Sequence, residues 1–266
     1  MGMRKLFVFD LDGTALGGHE PYAMFPRHFA RFLDRLCAQG IHWATNTTWA
    51  IDNQFEMIRR SGVKSNPAFI SGSTGLALAT IRGGKLVLYD DHARRVALRA
   101  RKFQTRHGPL IRMVMGKLLR AGVTRISFYE IRGQNLLSFT CRKKDACNVW
   151  EILQPLFACG AYHPFHATPN RPDEVLLPHY MNKGEALGIM RKRLALRAQD
   201  CLAAGNDVND LHMLRREVAH FMVCPSNSHP RVKEAVRACG GAIGKSEFSW
   251  GVVEGVQALL PKLAAD

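Results

Sequence analysis

Acidic side chains and long apolar runs are both scarce in this sequence of 266 residues. Lys and Arg number 37 against 22 Asp and Glu, which gives a formal net charge of +15. No apolar run approaches the ~18 residues that a membrane-spanning helix needs, and the first residues enter an apolar strand without the apolar core of a signal peptide. These absences argue against a membrane protein, and we expect the chain to work in the cytoplasm.

Cysteine patterns that stabilise secreted domains or bind zinc are missing as well. The seven cysteines are odd in number and scattered, and no pair has CxxC spacing. Neither a disulfide framework nor a zinc site is therefore indicated. We expect reduced, mostly buried thiols at positions 37, 141, 147, 159, 201, 224 and 239.

The positive charge is concentrated in one stretch of the chain. Between Arg82 and Lys144 there are 16 Lys and Arg residues and only three acidic ones. A basic surface attracts phosphorylated metabolites or the phosphate backbone of nucleic acid, although a solvated helix surface has the same composition. No RNP pattern, zinc finger or basic zipper accompanies the charge, so nucleic acid is the less favoured partner.

The most informative segment is FVFDLDGT, residues 7–14. Leu6 to Phe9 form a short apolar run typical of a strand buried on both faces of a parallel sheet, and such strands present functional groups at their carboxyl ends. Asp10 and Asp12 follow this run directly. Two neighbouring carboxylates repel each other beside a buried strand, so they predict a compensating cation, most simply a divalent metal. Taken alone, the same residues also fit an ordinary acidic turn.

Predicted strands and helices alternate towards both ends of the chain. The hydrophobic periodicity predicts strands at 5–10, 41–44, 68–70, 201–204 and 219–223 and helices that include 25–38, 51–60, 183–196 and 210–216. The middle differs, with helices at 92–106 and 110–120 followed by clustered strands. We therefore predict an α/β fold, with a doubly wound, mostly parallel sheet formed by residues 1–82 and 181–266 and an inserted α+β cap domain at 83–180.

Three later segments carry polar residues at the ends of predicted elements. Thr45 lies in WATNTT at the end of the second strand, Lys183 opens the helix in NKGEAL, and GNDVND at 205–210 follows an apolar strand. Each has a plain structural explanation, because Thr favours strands, Lys at a helix start is normally solvated, and Asn and Asp favour turns and caps. Their order after FVFDLDGT makes them informative as a set.

Together these four segments resemble the motifs of the haloacid dehalogenase (HAD) superfamily, and PSNSHPRVKEAV at 225–236 resembles its Cof-like branch. The resemblance covers nearly the whole chain and implies a Rossmann-like core with an inserted cap. It also implies a Mg²⁺-dependent phosphatase that acts on a small phosphate ester, such as a sugar phosphate. In this resemblance Asp10 is the nucleophile that forms an aspartyl-phosphate, and Asp12 is the acid/base. The residues assigned to the phosphoryl group or substrate are Thr45, Asn46, Lys183 and Asn209. Those assigned to Mg²⁺ are Asp10, Asp12, Asn206, Asp207 and Asp210.

Two departures from the family pattern leave alternatives open. Thr45-Asn46-Thr47 stands where the second motif usually reads TGR, and Asn206 stands where the fourth motif usually has its first aspartate. A neutral amide weakens a Mg²⁺ site unless Asp207 or Asp210 compensates. The alternatives are a weakly catalytic regulatory or binding module, and a nucleic-acid-associated protein that uses the basic cap.

Substrate selection is expected to depend on the cap. The candidate side chains for contacting the leaving group are Arg132, Arg142, His163 and His166. The two histidines have no third ligand in the pattern, which favours a structural role over a metal site. No feature of the sequence indicates an oligomeric state.

Overall fold

The computed structural model describes residues 4–18, 23–121, 123, 125–131, 134–166 and 171–265 of the chain. The chain divides into two compact units. The first comprises Met1–Asp90 and Asn182–Asp266, and the second comprises Asp91–Met181. The first unit is therefore discontinuous in sequence, and the second is inserted into it.

Strands and helices alternate over much of the described chain. The strands are β1 (Lys5–Phe9), β2 (Ile41–Asn46), β3 (Phe69–Gly72), β4 (Ala77–Arg82), β5 (Lys85–Leu88), β6 (Arg125–Ile131), β7 (Gln134–Thr140), β8 (Tyr162–Pro164), β9 (Asp173–Pro178), β10 (Cys201–Ala204), β11 (Phe221–Cys224) and β12 (Ala242–Ile243). The helices are α1 (Arg27–Ala38), α2 (Ile51–Arg60), α3 (Asp90–Arg120), α4 (Ala146–Ala158), α5 (Lys183–Arg193), α6 (Pro230–Ala238) and α7 (Phe248–Ala265).

The sheet of the first unit has the strand order β12-β11-β10-β1-β2-β3-β4-β5. Neighbours from β12 to β3 run parallel, and β4 and β5 form an antiparallel edge. The order reverses at β1, because the chain continues to β2 on one side and later returns to β10 on the other. In parallel sheets, ligands bind at the carboxyl ends of the strands beside such a reversal.

Side-chain alternation along β1 explains why helices cover both faces of this sheet. All five residues of β1 are buried. Phe7 and Phe9 pack in one hydrophobic cluster with side chains of α1, α2 and α7, whereas Leu6 and Val8 pack with α5 and α6 in another. The predicted α/β fold class, with a doubly wound and mostly parallel sheet, is confirmed.

The second unit combines an antiparallel sheet, in the order β6-β7-β9-β8, with α3 and α4. α3 runs unbroken over 31 residues, so the prediction of two helices at 92–106 and 110–120 is wrong. Pro109 lies inside α3 without ending it, because a buried stripe with helical spacing continues on both sides of it. That stripe contains His92, Val96, Ala100, Phe103, His107, Ile111, Val114 and Leu118.

The division into units differs from the predicted boundaries near residue 82. β5 pairs with β4 along its whole length, so residues 85–88 continue the large sheet, and residues 83–90 belong to the first unit. The α+β character expected of the insertion belongs to Asp91–Met181. That 1–82 with 181–266 and 83–180 are separate domains stays a prediction.

The segment after β10 also differs from the predicted helix at 210–216. Val208–His212 forms a short 3₁₀ helix, because the carboxylates of Asp207 and Asp210 bind backbone N–H groups of the loop and so compete with α-helical bonding. The short strand β12 has no counterpart among the predicted elements, since two residues carry no periodicity.

The cysteines form no disulfide. All seven are free thiols, as predicted, but only Cys141, Cys201 and Cys224 are buried, so the expectation of mostly buried thiols is wrong. None of the described helices is both long and apolar enough to cross a membrane.

Candidate active site

A buried ion pair lies at the carboxyl end of β1. Asp10 directly follows this strand, and its backbone N–H donates to the carbonyl of Ala204 at the end of β10 (2.9 Å). Lys183, the first residue of α5, donates from Nζ to Asp10 Oδ1 at 2.6 Å. The side chains are 6% and 1% exposed, so the charges interact in a largely water-free environment.

Asp210 joins this pair as a second carboxylate and fixes the neighbouring loop. Its Oδ1 accepts from Lys183 Nζ at 2.6 Å, and its Oδ2 accepts from the backbone N–H groups of Asn206 (2.8 Å) and Asp207 (3.0 Å). Gly205 is required at the start of this loop, because a Cβ there would lie 2.5 Å from the Asp210 side chain. One ammonium group therefore holds the carboxylates of two segments together.

This cluster has more negative than positive charge, and a further cation would stabilise it. Burial, with repulsion from Asp210, raises the pKa of Asp10 to about 7 even though Lys183 opposes the shift. Burial alone would lower the pKa of Lys183, but the carboxylates of Asp10 and Asp210 hold it above its ordinary value. Two carboxylates thus share one ammonium, and a divalent cation beside Asp10 would favour its ionised form.

Oxygen ligands for such a cation converge next to Asp10. The Asn206 side-chain amide lies against three of these oxygens. The hydrogen bonds favour its nitrogen facing them, at 2.8 Å from the Asp12 carbonyl, 2.8 Å from Thr14 Oγ1 and 3.3 Å from Asp10 Oδ2. With a cation bound beside Asp10, the amide would instead turn its oxygen towards this position, because the cation would offset the repulsion between the oxygens. Oxygen donors suit Mg²⁺.

The turn that follows Asp12 is shaped to bring Asn206 this close. Gly13 has φ of 73°, and a Cβ there would lie 2.3 Å from the Asn206 amide nitrogen. Within the described part of the chain, no group of three or more His, Cys, Asp or Glu side chains forms a metal cluster. A metal at Asp10 would therefore depend on the Asp12 carbonyl and the Asn206 amide oxygen as well as on a carboxylate.

Two residues that sequence reasoning missed support the Asp12 turn. Trp49, in the loop after β2, donates from Nε1 to Asp12 Oδ2 at 2.7 Å. Asn227 donates to the Gly13 carbonyl (2.8 Å) and accepts from the Phe248 backbone N–H (2.8 Å). Asn227 lies in the segment 225–236, whose resemblance to the Cof-like branch could have indicated a role in the site. No motif in the sequence indicates a role for Trp49.

The residues of the second motif tie β2 to its neighbours. Thr45 donates to Gln54 Oε1 on α2 at 2.6 Å, and Asn46 donates from Nδ2 to the Lys183 carbonyl at 2.8 Å. Thr47 is 1% exposed, and its Oγ1 has no hydrogen-bond partner among the described residues. The structure thus places Asn46 against the residue that binds Asp10, while phosphoryl contacts of Thr45 and Asn46 stay predictions.

The other predicted residues of the fourth motif differ in their hydrogen bonding. Asp207 accepts from the Val208 backbone N–H at 2.6 Å. Asn209 is 7% exposed, and its Oδ1 has no hydrogen-bond partner in the described part of the molecule. Metal binding by Asp207 and Asp210 and substrate binding by Asn209 stay predictions.

The candidate substrate-reading residues belong to the second unit. Arg142 pairs with Asp145 at 2.6 Å, and His166 Nδ1 lies 2.9 Å from Glu174 Oε1. His163 lies on β8. Arg132 is outside the described residues.

Comparison with known proteins identifies the family. The model of the sucrose-6F-phosphate phosphohydrolase family matches residues 3–257. Similar solved structures include the sucrose-phosphatase of a Synechocystis species in complex with sucrose and phosphate, with 16% identity, a TM-score of 0.64 and 97% of each chain covered. A protein from Thermotoga maritima has 18% identity, a TM-score of 0.60 and coverage of 96% of this chain and 97% of its own. A haloacid dehalogenase-like hydrolase from Bacillus subtilis has 14% identity, a TM-score of 0.59 and coverage of 96% and 92%.

A search of curated proteins finds no match to this chain. At such low identities the solved structures establish the fold alone, whereas the family model spans nearly the whole sequence. The resemblance to Cof-like members of the HAD superfamily and the prediction of a phosphoric monoester hydrolase are confirmed. The chain therefore belongs to the sucrose-6F-phosphate phosphohydrolase family of HAD-like phosphatases.

Proposed function

We propose that this phosphatase hydrolyses a small phosphate ester of the sugar-phosphate class, with Mg²⁺, through an aspartyl-phosphate on Asp10. The observation that carries the proposal is the buried cluster of Asp10, Lys183 and Asp210 beside the Asp12 carbonyl and the Asn206 amide. Buried charges of this kind are costly unless they are paired, and they concentrate at functional sites. The cytoplasmic location expected from the sequence stays a prediction.

The proposed reaction has two displacements. An Asp10 carboxylate oxygen forms a bond to phosphorus while the bond from phosphorus to the leaving oxygen breaks, and Asp12 donates a proton to that oxygen. Asp12 then takes a proton from a water molecule, whose oxygen attacks phosphorus and releases inorganic phosphate and the Asp10 carboxylate.

The surrounding residues contribute charge and position. Lys183 provides a fixed positive charge beside the nucleophile and restrains the Asp10 carboxylate. Mg²⁺, when bound, neutralises negative charge on the transferring phosphoryl group. The residues that would hold it are Asp10, Asp12 through its carbonyl oxygen, and Asn206.

The sugar-phosphate class rests on similarity and charge. The family model is that of a sucrose-phosphate phosphohydrolase, and one similar structure holds sucrose and phosphate. The excess of Lys and Arg between Arg82 and Lys144 suits an anionic substrate.

Turnover should depend on Mg²⁺ and favour sugar phosphates. We expect p-nitrophenyl phosphate to be hydrolysed with Mg²⁺, activity to be lost in EDTA and restored by added Mg²⁺, and kcat/KM for at least one sugar phosphate to exceed that for nucleotides about tenfold. Activity that persists in EDTA would refute the metal requirement, and a preference for nucleotides would refute the substrate class.

Asn206→Asp is the matched variant for the metal. An added carboxylate should lower the Mg²⁺ concentration for half-maximal activity several-fold, because charge strengthens oxygen ligation. No change would show that Asp207 or Asp210 already supplies the charge. A large increase in rate would favour the alternative of a weakly catalytic regulatory or binding module.

Trp49 should act as a positioning residue for Asp12. Trp49→Phe keeps an aromatic ring and removes the N–H that binds Asp12 Oδ2, so we expect kcat for p-nitrophenyl phosphate to fall about tenfold with a smaller change in KM, as for the loss of one hydrogen bond that orients the acid/base. The control is Trp250→Phe at an exposed site. Equal kcat values for the two variants would show that Trp49 does not position Asp12 for the reaction.

Nucleic-acid association remains the alternative prediction for the basic residues. It requires RNA or duplex DNA binding whose affinity falls steeply with salt, and no binding at ~50 mM salt would exclude it.

A further inference from the structure

A basic groove runs along α1 in the first unit. It has a volume of about 830 Å³ and lies between the segment that precedes α1, the helix itself and the end of α2. Its five basic side chains, Arg27, Arg31, Arg35, Arg60 and Lys64, are all exposed. None of them forms an ion pair with another described residue. We refer to it as the α1 groove.

Asp34, the carboxylate that lines the α1 groove, is already engaged. It accepts from the backbone N–H groups of Lys64 (3.0 Å) and Ser65 (2.8 Å). Although partial burial opposes ionisation, these hydrogen bonds and the nearby Lys64 charge hold the pKa of Asp34 below its ordinary value. Asp34 thus fixes one wall of the α1 groove, and most of the positive charge is left without a counter-charge.

Of the three arginines on α1, only Arg35, in the last turn, interacts favourably with the helix dipole. Arg27, Arg31 and Arg35 recur every four residues, and like charges at this spacing destabilise a helix. Arg27 also lies in the first turn, which contains no acidic residue, and positive charge there opposes the helix dipole. A bound anion would offset these small costs.

The walls of the α1 groove are held in place by packing and hydrogen bonding. The Phe25 backbone N–H donates to Ser61 Oγ at 2.8 Å, which joins the segment before α1 to the end of α2. Phe25 is buried against Phe29 and Trp43. A ligand would therefore meet a largely preformed surface, which reduces the entropic cost of binding.

We propose that the α1 groove binds a linear phosphate chain, either free or as part of a nucleoside di- or triphosphate. From Arg27 to Arg35 the stripe extends about 12 Å at 1.5 Å per residue, too long for one phosphate group to contact. Guanidinium groups bind phosphate oxygens in bidentate pairs, and four of the five cations are arginines. The volume falls in the range of small-molecule sites, ≈ 300–1,000 Å³.

The site is separate from the proposed chemistry. None of the residues that line the α1 groove belongs to the cluster around Asp10. The proposal therefore does not require phosphatase activity, and either can fail without the other.

Calorimetric titration with tripolyphosphate and with ATP, both in EDTA, tests the proposal. We expect one tripolyphosphate bound per chain and at least a tenfold loss of affinity in Arg31→Gln/Arg35→Gln, since each substitution removes a charge-assisted contact. Tighter binding of ATP would show that the nucleoside adds contacts, and equal affinity would assign binding to the phosphate chain alone. Both results support the proposal.

The control removes the same charge elsewhere on the first unit. Lys192→Gln/Arg237→Gln replaces exposed residues of α5 and α6 and should change affinity less than twofold. Equal losses of tripolyphosphate affinity in the two double variants would show that binding depends only on net charge, and they would overturn the proposal. A second result would also overturn the proposal: wild-type protein binds a short RNA but does not bind tripolyphosphate, and the Arg31 and Arg35 substitutions weaken the RNA binding. Thermal unfolding checks that both variants fold.

Discussion

Asp10→Asn is expected to reduce turnover of p-nitrophenyl phosphate by at least about a thousandfold while the protein stays folded. The amide keeps the shape of the side chain but cannot form the aspartyl-phosphate. Folding should survive, because burial already raises the pKa of Asp10 to about 7 and a neutral group is tolerated there. Wild-type enzyme quenched in acid during turnover should carry hydroxylamine-labile phosphate, and Asp10→Asn should carry none.

Asp52→Asn is the matched control for Asp10→Asn. Asp52 is an exposed residue in the first turn of α2, so the same chemical change there should leave turnover within about twofold of wild type. Undiminished turnover by folded Asp10→Asn protein would refute the covalent mechanism. Loss of turnover with retention of the labile phosphate would place the nucleophile on another residue.

Lys183→Met should cost about 3–5 kcal/mol in the free energy of unfolding at pH 8 and abolish turnover. Lys183 is 1% exposed and lies between Asp10 and Asp210, so its removal leaves two buried carboxylates without their cation. Urea unfolding measures the loss. Lys192→Met, at an exposed position of the same helix, should change the free energy of unfolding by less than about 0.5 kcal/mol.

The deficit of Lys183→Met should shrink as the pH falls from 8 to 5.5. Without the ammonium, the pKa of Asp10 in the folded protein rises further above its unfolded value of 3.8, so the folded state binds a proton in this range that the unfolded state does not. Stability of the variant therefore increases towards lower pH. In wild type the pKa of Asp10 is about 7, so wild type gains stability in the same way only below about pH 7, and the deficit shrinks mainly between pH 8 and pH 7. The raised pKa of Lys183 keeps its own contribution constant over this range, and that contribution is lost only in strong alkali. A deficit independent of pH would show that packing, and not charge, explains the loss.

Local patterns were sufficient to predict most of the first unit. The apolar run before Asp10 predicted a central strand, because a strand buried on both faces needs apolar side chains at every position. The resemblance placed Lys183 in the site, and its ammonium binds Asp10 across 173 residues of sequence. The continuation of α3 through Pro109 could not be predicted, because it depends on packing on both sides of the proline.

Contacts of the site that lacked a motif were missed for a different reason. Trp49 donates to Asp12, and Gln54 accepts from Thr45, and neither residue type signals such a role in sequence. The α1 groove likewise needs Arg60 and Lys64 beside the arginines of α1. Only folding places these side chains together.

The sequence by itself determined the parallel sheet, the position of Asp10 and Asp12 at the end of β1, and the family, because these depend on local periodicity and ordered motifs. Tertiary structure alone decided how the charges are shared. It places Asp210 on Lys183 and the loop N–H groups, turns Asn206 towards Asp10, and buries Asp10 enough to raise its pKa. The physical reason is that burial and hydrogen-bond partners come from segments far apart in the chain, and no local pattern encodes them.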